Sequence, residues 1–115
     1  MKTLISTCTL ILSLFATTAA RADVGGSCHF HGNKPASEAV VTECGAQRKA
    51  ALVKAGKLDA SWQAVKLAKA EWVDGKKGKE WKLSYNNPGA DASKQTLYLF
   101  FSAPGNFIAA NFTGQ

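Results

Sequence analysis

The chain opens on MKTLISTCTLILSLFATTAARAD, and this leader decides how much of the 115 residues is left to fold. A charged start at Lys2, an apolar run from Leu4 to Phe15 and small residues at Ala20 and Ala22 have the layout of a secretory signal. The predicted cleavage follows Ala22, with a rival small-residue site after Ala20. The apolar run is shorter than the ~20 residues that a bilayer span requires, and no second hydrophobic segment follows it. The expected product is an exported protein without a stable membrane span, periplasmic in a Gram-negative cell. Cleavage leaves 93 residues, and loss of Lys2 and Arg21 lowers the formal charge from +6 to +4. A chain this short buries only about 60–65% of its unfolded surface. Its core is thin, so a covalent or metal link carries weight.

Cys8 departs with the leader, which leaves Cys28 and Cys44. An even count in an oxidising compartment favours a disulfide. Closing a loop of about fifteen residues contributes ~3 kcal/mol in the chain-entropy picture. The reach is adequate: with a helix starting near Pro35, Cys44 lies roughly 14 Å along its axis, and the leader from Cys28 spans up to about 23 Å. The stretch SCHFHGNK also sets Cys28 beside the only two histidines of the chain, His29 and His31. Thiolate and neutral imidazole suit copper or zinc, so Cys28, His29 and His31 are the candidate metal ligands. Cys28 cannot serve both chemistries. Oxidised to Cys44, it leaves His29 and His31 as a short site for loosely held copper, with the amino terminus nearby.

From NKPASEAVVTECGAQRKAALVKAGK a helix is predicted, with Val41, Cys44, Leu52 and Ala55 on one stripe and Val40 and Ala51 beside it. Pro35 suits its first turn, Glu38 its positive end, Lys54 and Lys57 its negative end, and Gly56 its stop. Gly45 is costly inside a helix, by about 1 kcal/mol relative to alanine, and marks close packing. The segment KLDASWQAVKLAKAEWVDG is ambiguous. It reads as a turn at Asp59–Trp62, capped by Asp59 or Ser61, then a strand from about Val65 to Val73, with a continued helix as the alternative. Trp81, Leu83 and Tyr85 alternate with Lys82 and Ser84, as in a strand with one wet face. DGKKGKE is its turn; a solvated hairpin tip is the bland reading and a patch for an anionic partner the other. TLYLFF and NFIAANF flank SAPGN, whose Pro104 and Gly105 fit the centre of a type II turn.

One helix followed by four meander strands predicts an α+β fold, a helix packed on a four-stranded antiparallel sheet. The expected layout is a signal over 1–22, an arm over 23–34 and one domain over 35–115. Leu97, Leu99 and Phe101 share one face of their strand, and Tyr98 and Phe100 project from the other. That second apolar face is either packed locally, for instance under the N-terminal arm, or a contact surface for a ligand or second copy. Trp62, Trp72 and Trp81 are read as core.

The segments HGNKPASEAVVTECGAQRKAALVKAGKLDASW, GKEWKLSYNNP and KQTLYLFFSAPGNFIAANFTG resemble a family of small exported bacterial proteins classified only as a domain of unknown function. The resemblance covers nearly all of the mature chain, and the ending Ala109–Gly114 is its most specific part. Members tend to begin with a histidine-rich leader, of which this chain has only His29 and His31. More distantly the plan is similar to PepSY and cystatin-like domains, helix-on-sheet modules associated with binding or inhibition, which is a likeness of fold.

These features rank the function classes. An enzyme is disfavoured, because both histidines lie on the arm and the carboxylates form no paired motif. Asn111-Phe112-Thr113 matches the glycosylation pattern and is inert in a bacterial periplasm. Nucleic acid is not expected as a partner in that compartment. The leading expectation is a non-enzymatic binding module that uses the face of Tyr98 and Phe100 to hold a protein, a peptide, a small ligand or a second copy as a homodimer. The alternative is a metal-binding protein using the Cys-His-x-His arm for copper or zinc.

Overall fold

The structure is a computed structural model that describes residues 28–115. The expected signal, Cys8 and the first part of the expected arm lie outside the described residues. One helix, α1 (Glu38–Lys54), precedes four strands, β1 (Leu67–Gly75), β2 (Gly78–Asn86), β3 (Thr96–Ser102) and β4 (Phe107–Asn111). The sheet order is β1-β2-β3-β4, every pair antiparallel, so the α+β meander read from the sequence is the fold.

The helix starts later than Pro35. Ala36 donates its N–H to the carbonyl of Ala103 (2.8 Å), so the chain there is extended and tied to the β3–β4 turn. Ser37 then caps the helix, its Oγ accepting from the Val40 N–H at 3.2 Å. The end follows expectation: Gly56 takes φ +77, while the Lys57 and Leu58 amides donate back to the Leu52 carbonyl.

The buried stripe differs from the predicted one. Val41 and Cys44 are on it, but Val40 is 40% exposed, Ala51 and Ala55 face solvent, and Gly45 and Lys49 are buried instead. Positions 41, 45 and 49 recur at one helical turn plus a fraction, so they share a face whatever their chemistry. At Gly45 helix and sheet approach closely. A methyl group there would lie 2.5 Å from the Tyr85 hydroxyl oxygen and closer still to Leu83 Cδ1.

After α1 a 3-10 turn covers Ala60–Ala64, with the Asp59 carboxylate accepting from the Ser61 N–H at 2.9 Å. The helical alternative for this stretch is excluded, for β1 follows directly. The buried Lys49 ammonium takes up the carbonyls of Trp62 (2.7 Å), Gln63 (3.2 Å) and Val65 (2.5 Å), which a continuing helix would have given to its own amides.

On the sheet, Tyr85 stands opposite Leu97, Leu83 opposite Leu99 and Trp81 opposite Phe101, so these six side chains share the face under the helix. All but Trp81 join Val41, Cys44, Leu58 and Trp62 in the core. Trp81 packs against its margin. Trp72, predicted as core, is 39% exposed and meets Trp81 edge to face at 4.9 Å, because the end of the β1–β2 hairpin extends past the bulk of the core.

The β1–β2 connection is a two-residue loop, Lys76-Lys77, between the paired Gly75 and Gly78. The β3–β4 turn is not centred on Pro104-Gly105. Its bond runs from the Gly105 N–H to the Ser102 carbonyl, which makes Ala103 and Pro104 central. The Ala103 carbonyl is already used by Ala36, and the Asn106 N–H turns to Ser102 Oγ (3.1 Å).

Candidate functional site

The arm is held at two points. Cys28 and Cys44 form a disulfide with their Cα atoms 5.7 Å apart. Beyond it, Phe30 donates its N–H to Asn106 Oδ1 (2.7 Å) and accepts from Asn106 Nδ2 (2.9 Å). An amide side chain thus imitates a strand partner for one residue of the arm. His29 and His31 are exposed, their rings edge to face at 4.9 Å. The Cys28 sulfur is spent in the disulfide, so of the three candidate ligands only the imidazoles keep free donors. Among the described residues no group of three or more His, Cys, Asp or Glu side chains comes together as a metal site.

The opposite face of the sheet is built differently. In register, Lys82 stands across from Phe100 and Ser84 from Tyr98, with Ala109 and Asn111 next on β4. Tyr98 and Phe100 therefore project from this outer face, away from the helix. Neither is freely exposed: Tyr98 is half-buried and Phe100 retains 8% of its surface. The Lys82 ammonium lies 4.8 Å from the Tyr98 ring centre and 5.9 Å from that of Phe100, within reach of both ring faces. The cover expected from the N-terminal arm comes partly from the other end of the chain. Asn111 Oδ1 accepts from the N–H groups of Thr113 (3.2 Å) and Gly114 (2.8 Å), while its Nδ2 donates to the Gln115 carbonyl (3.0 Å). This folds the tail so that Gly114 rests on the Tyr98 ring, where an added Cβ would stand 3.3 Å from it.

Between the tail and the β1–β2 hairpin lies an open groove of about 1070 Å³. Val73, Phe100, Pro104, Ile108 and Ala109 give it an apolar floor, and its charged lining sets Lys76, Lys77, Lys79 and Lys82 beside Asp74 and Glu80. Ile108 is there because of a bulge. Phe100 pairs with Ala109 but Phe101 with Phe107, so β4 carries one extra residue, Ile108, which is 48% exposed.

Charge is unevenly matched around the groove. Lys79 pairs with Asp74 at 2.8 Å and Lys69 with Glu71 at 2.7 Å. The Glu71 partner raises the Lys69 pKa, and the Lys69 hydrogen bond lowers that of Glu71. No other ion pair occurs among the described residues, which leaves Lys76, Lys77 and Lys82 without a carboxylate in contact. No helix among them is long and apolar enough to cross a membrane.

Sequence reasoning singled out Tyr98 and Phe100 but missed Ile108 and the convergence of the hairpin lysines. The outward phenylalanine and the paired lysines of DGKKGKE were visible; the bulge that joins them into one groove was not.

No significant match arises among curated proteins or solved structures. A family model described as "Family of unknown function (DUF6488)" matches residues 1–115, and the chain belongs to that family.

Proposed function

We propose that this protein is an exported, non-enzymatic binding module that holds its partner on the outer face of the sheet. The observation that carries this reading is the groove beside Phe100, apolar at its floor and rimmed by charged side chains of both signs, on the face that the helix leaves uncovered. An open apolar floor rimmed by charged residues is the kind of surface that marks contact. The groups with shifted pKa have structural work: Asp59 caps the 3-10 turn, Lys69 and Glu71 pair with each other, and Lys49 and Tyr85 are buried.

Tyr98→Ala and Ile108→Asp test the reading, since both side chains lie on the outer face and Ile108 is half exposed. Each variant should fold, by its thermal melt, and lose the partners or the self-association of the parent. Retained partners in both folded variants would move the working surface elsewhere.

The proximity of the two imidazoles favours a second reading, loose copper or zinc binding by His29 and His31 on the anchored arm. Titration of the oxidised protein should then show a site that disappears in His29→Ala and His31→Ala. An absence of binding at micromolar metal removes it.

A further inference from the structure

We infer that the open edge of β1 pairs antiparallel with the same edge of a second copy, with Trp72 on the two-fold axis. Which backbone groups point outward follows from the ladder, because its bonds alternate sides along a strand. The Asn87 N–H bonds to the Gln95 carbonyl (2.7 Å) and continues the β2–β3 ladder, in which Tyr85, Leu83 and Trp81 face Leu97, Leu99 and Phe101. These alternate residues of β2 serve β3. Ser84, Lys82 and Glu80 therefore serve β1, where they face Lys69, Glu71 and Val73. Ala70, Trp72 and Asp74 are left with N–H and C=O directed to the open side. Among the described residues no further backbone group bonds to this stretch.

The register follows from where the regular edge begins and ends. A bulge at Ala68 interrupts it on one side and the lysine turn after Gly75 on the other, so the regular edge is residues 69–75. Its midpoint is Trp72. Self-pairing about Trp72 engages the whole run and sets Ala70 opposite Asp74, Glu71 opposite Val73 and Lys69 opposite Gly75 of the other copy. No like charges stand directly opposite. A centre at Glu71 would set two glutamates face to face, and a centre at Ala70 would run both strands into the bulges.

Sheet edges are commonly guarded by charge, proline or a bulge. Residues 69–75 contain no proline, and their charges are matched within the chain, Lys69 by Glu71 and Asp74 by Lys79. The other edge, β4, is only five residues long and bulged at Ile108. On β1 the large apolar side chain left open is Trp72, 39% exposed beside Trp81. Self-pairing lays it against its own copy as a cross-strand aromatic contact. That contact and the matched midpoint both arise from two-fold symmetry, which selects a second copy over a foreign strand. The hairpin end extends past the core, so antiparallel pairing there sends the two domain bodies to opposite ends. Their outer faces join into one surface that carries both grooves.

The test uses the oxidised, exported protein. Sedimentation equilibrium should show monomer and dimer in exchange, with association about tenfold weaker in Trp72→Thr. Ala70→Pro should abolish it, since it removes an N–H that β2 does not use and that an edge strand can spare. Thermal melts verify that both variants are folded, and Ile108→Asp should leave the dimer unchanged. Cross-linking reads the register: facing residues of a bonded pair have Cα atoms about 5.5 Å apart, within disulfide reach. A mixture of Ala70→Cys and Asp74→Cys should therefore give a linked mixed dimer, while neither variant links to itself. A protein monomeric at millimolar concentration, a dimer indifferent to both folded variants, or self-linking of Ala70→Cys equal to that of the mixture would overturn the inference. A dimer lost in Ile108→Asp but kept in Trp72→Thr would place self-association on the outer face and reject the edge. A monomer that binds a threonine- and valine-rich strand peptide, with binding lost in Ala70→Pro, would retain the edge and reject the second copy. The outer-face reading is decided separately, by the partners of Tyr98→Ala and Ile108→Asp.

Discussion

Tyr85 has a buried hydroxyl against Gly45 with no hydrogen-bond partner among the described residues, and burial pushes its pKa from 10.0 up to about 12. A buried polar group without a partner costs stability, and removing it is close to neutral or favourable. Tyr85→Phe should therefore raise stability by up to about 1 kcal/mol at neutral pH, measured by urea denaturation. The folded state keeps the phenolic proton longer than the unfolded chain does. Its contribution is complete below pH 10 and is lost as pH climbs toward 12, by about 2–3 kcal/mol. Denaturation across that range should show a steeper alkaline loss in the parent than in Tyr85→Phe. Lys49 works in the opposite sense, since burial lowers its pKa and its contribution improves as pH rises toward 10.5. Removing its ammonium in Lys49→Ala takes a donor from the carbonyls of Trp62, Gln63 and Val65, of which only Trp62 keeps another, the Val65 N–H, and should cost about 2 kcal/mol. The alternation around Tyr85 was legible in the sequence. Lys49 was not, because nothing local to a lysine in a helix tells that its acceptors lie on a turn thirteen to sixteen residues ahead.

At the level of elements, the tight contact is α1 on β2 at Gly45. Gly45→Ala gains about 1 kcal/mol of helix propensity but forces a methyl group into Leu83 and Tyr85. Overpacking of this kind costs about 1–3 kcal/mol. The variant should be destabilised, with part of the loss recovered when Tyr85→Phe removes one of the two clashes; a stabilised Gly45→Ala would show that the helix is free to shift. The arm's attachments divide differently. Replacing Cys28 and Cys44 by serine should cost about 3 kcal/mol, yet leave the arm docked through Asn106. Adding Asn106→Ala should release it, which hydrogen exchange at Phe30 would register. Periodicity sufficed for α1, β2 and the β3–β4 hairpin, each dominated by its own pattern. It failed at the helix start and the β3–β4 turn for one shared reason: Ala36 spends its N–H on Ala103, a contact between segments sixty-seven residues apart. The 60–73 stretch stayed ambiguous because a side chain of α1, not the segment itself, ends its helical turn.

For the whole molecule, the meander divides labour between its faces. The helix, the disulfide and the inner face of β2 and β3 make the core, and the outer face keeps Tyr98, Phe100, lysines and an open groove. Half of that site was legible, as the outward parity of Tyr98 and Phe100 follows from strand alternation alone. The rest depends on a one-residue bulge and on a tail that Asn111 folds back, and neither has a local signature strong enough to place Ile108 or Gly114. The most direct test of the outer face is site-specific photocrosslinking in the native host, with the reactive group at Ile108 on the groove or at Ala46 on the exposed side of α1. The expected result is a discrete adduct from Ile108, reduced by Lys82→Gln, and none from Ala46. An adduct from Ala46 without one from Ile108 would contradict the account.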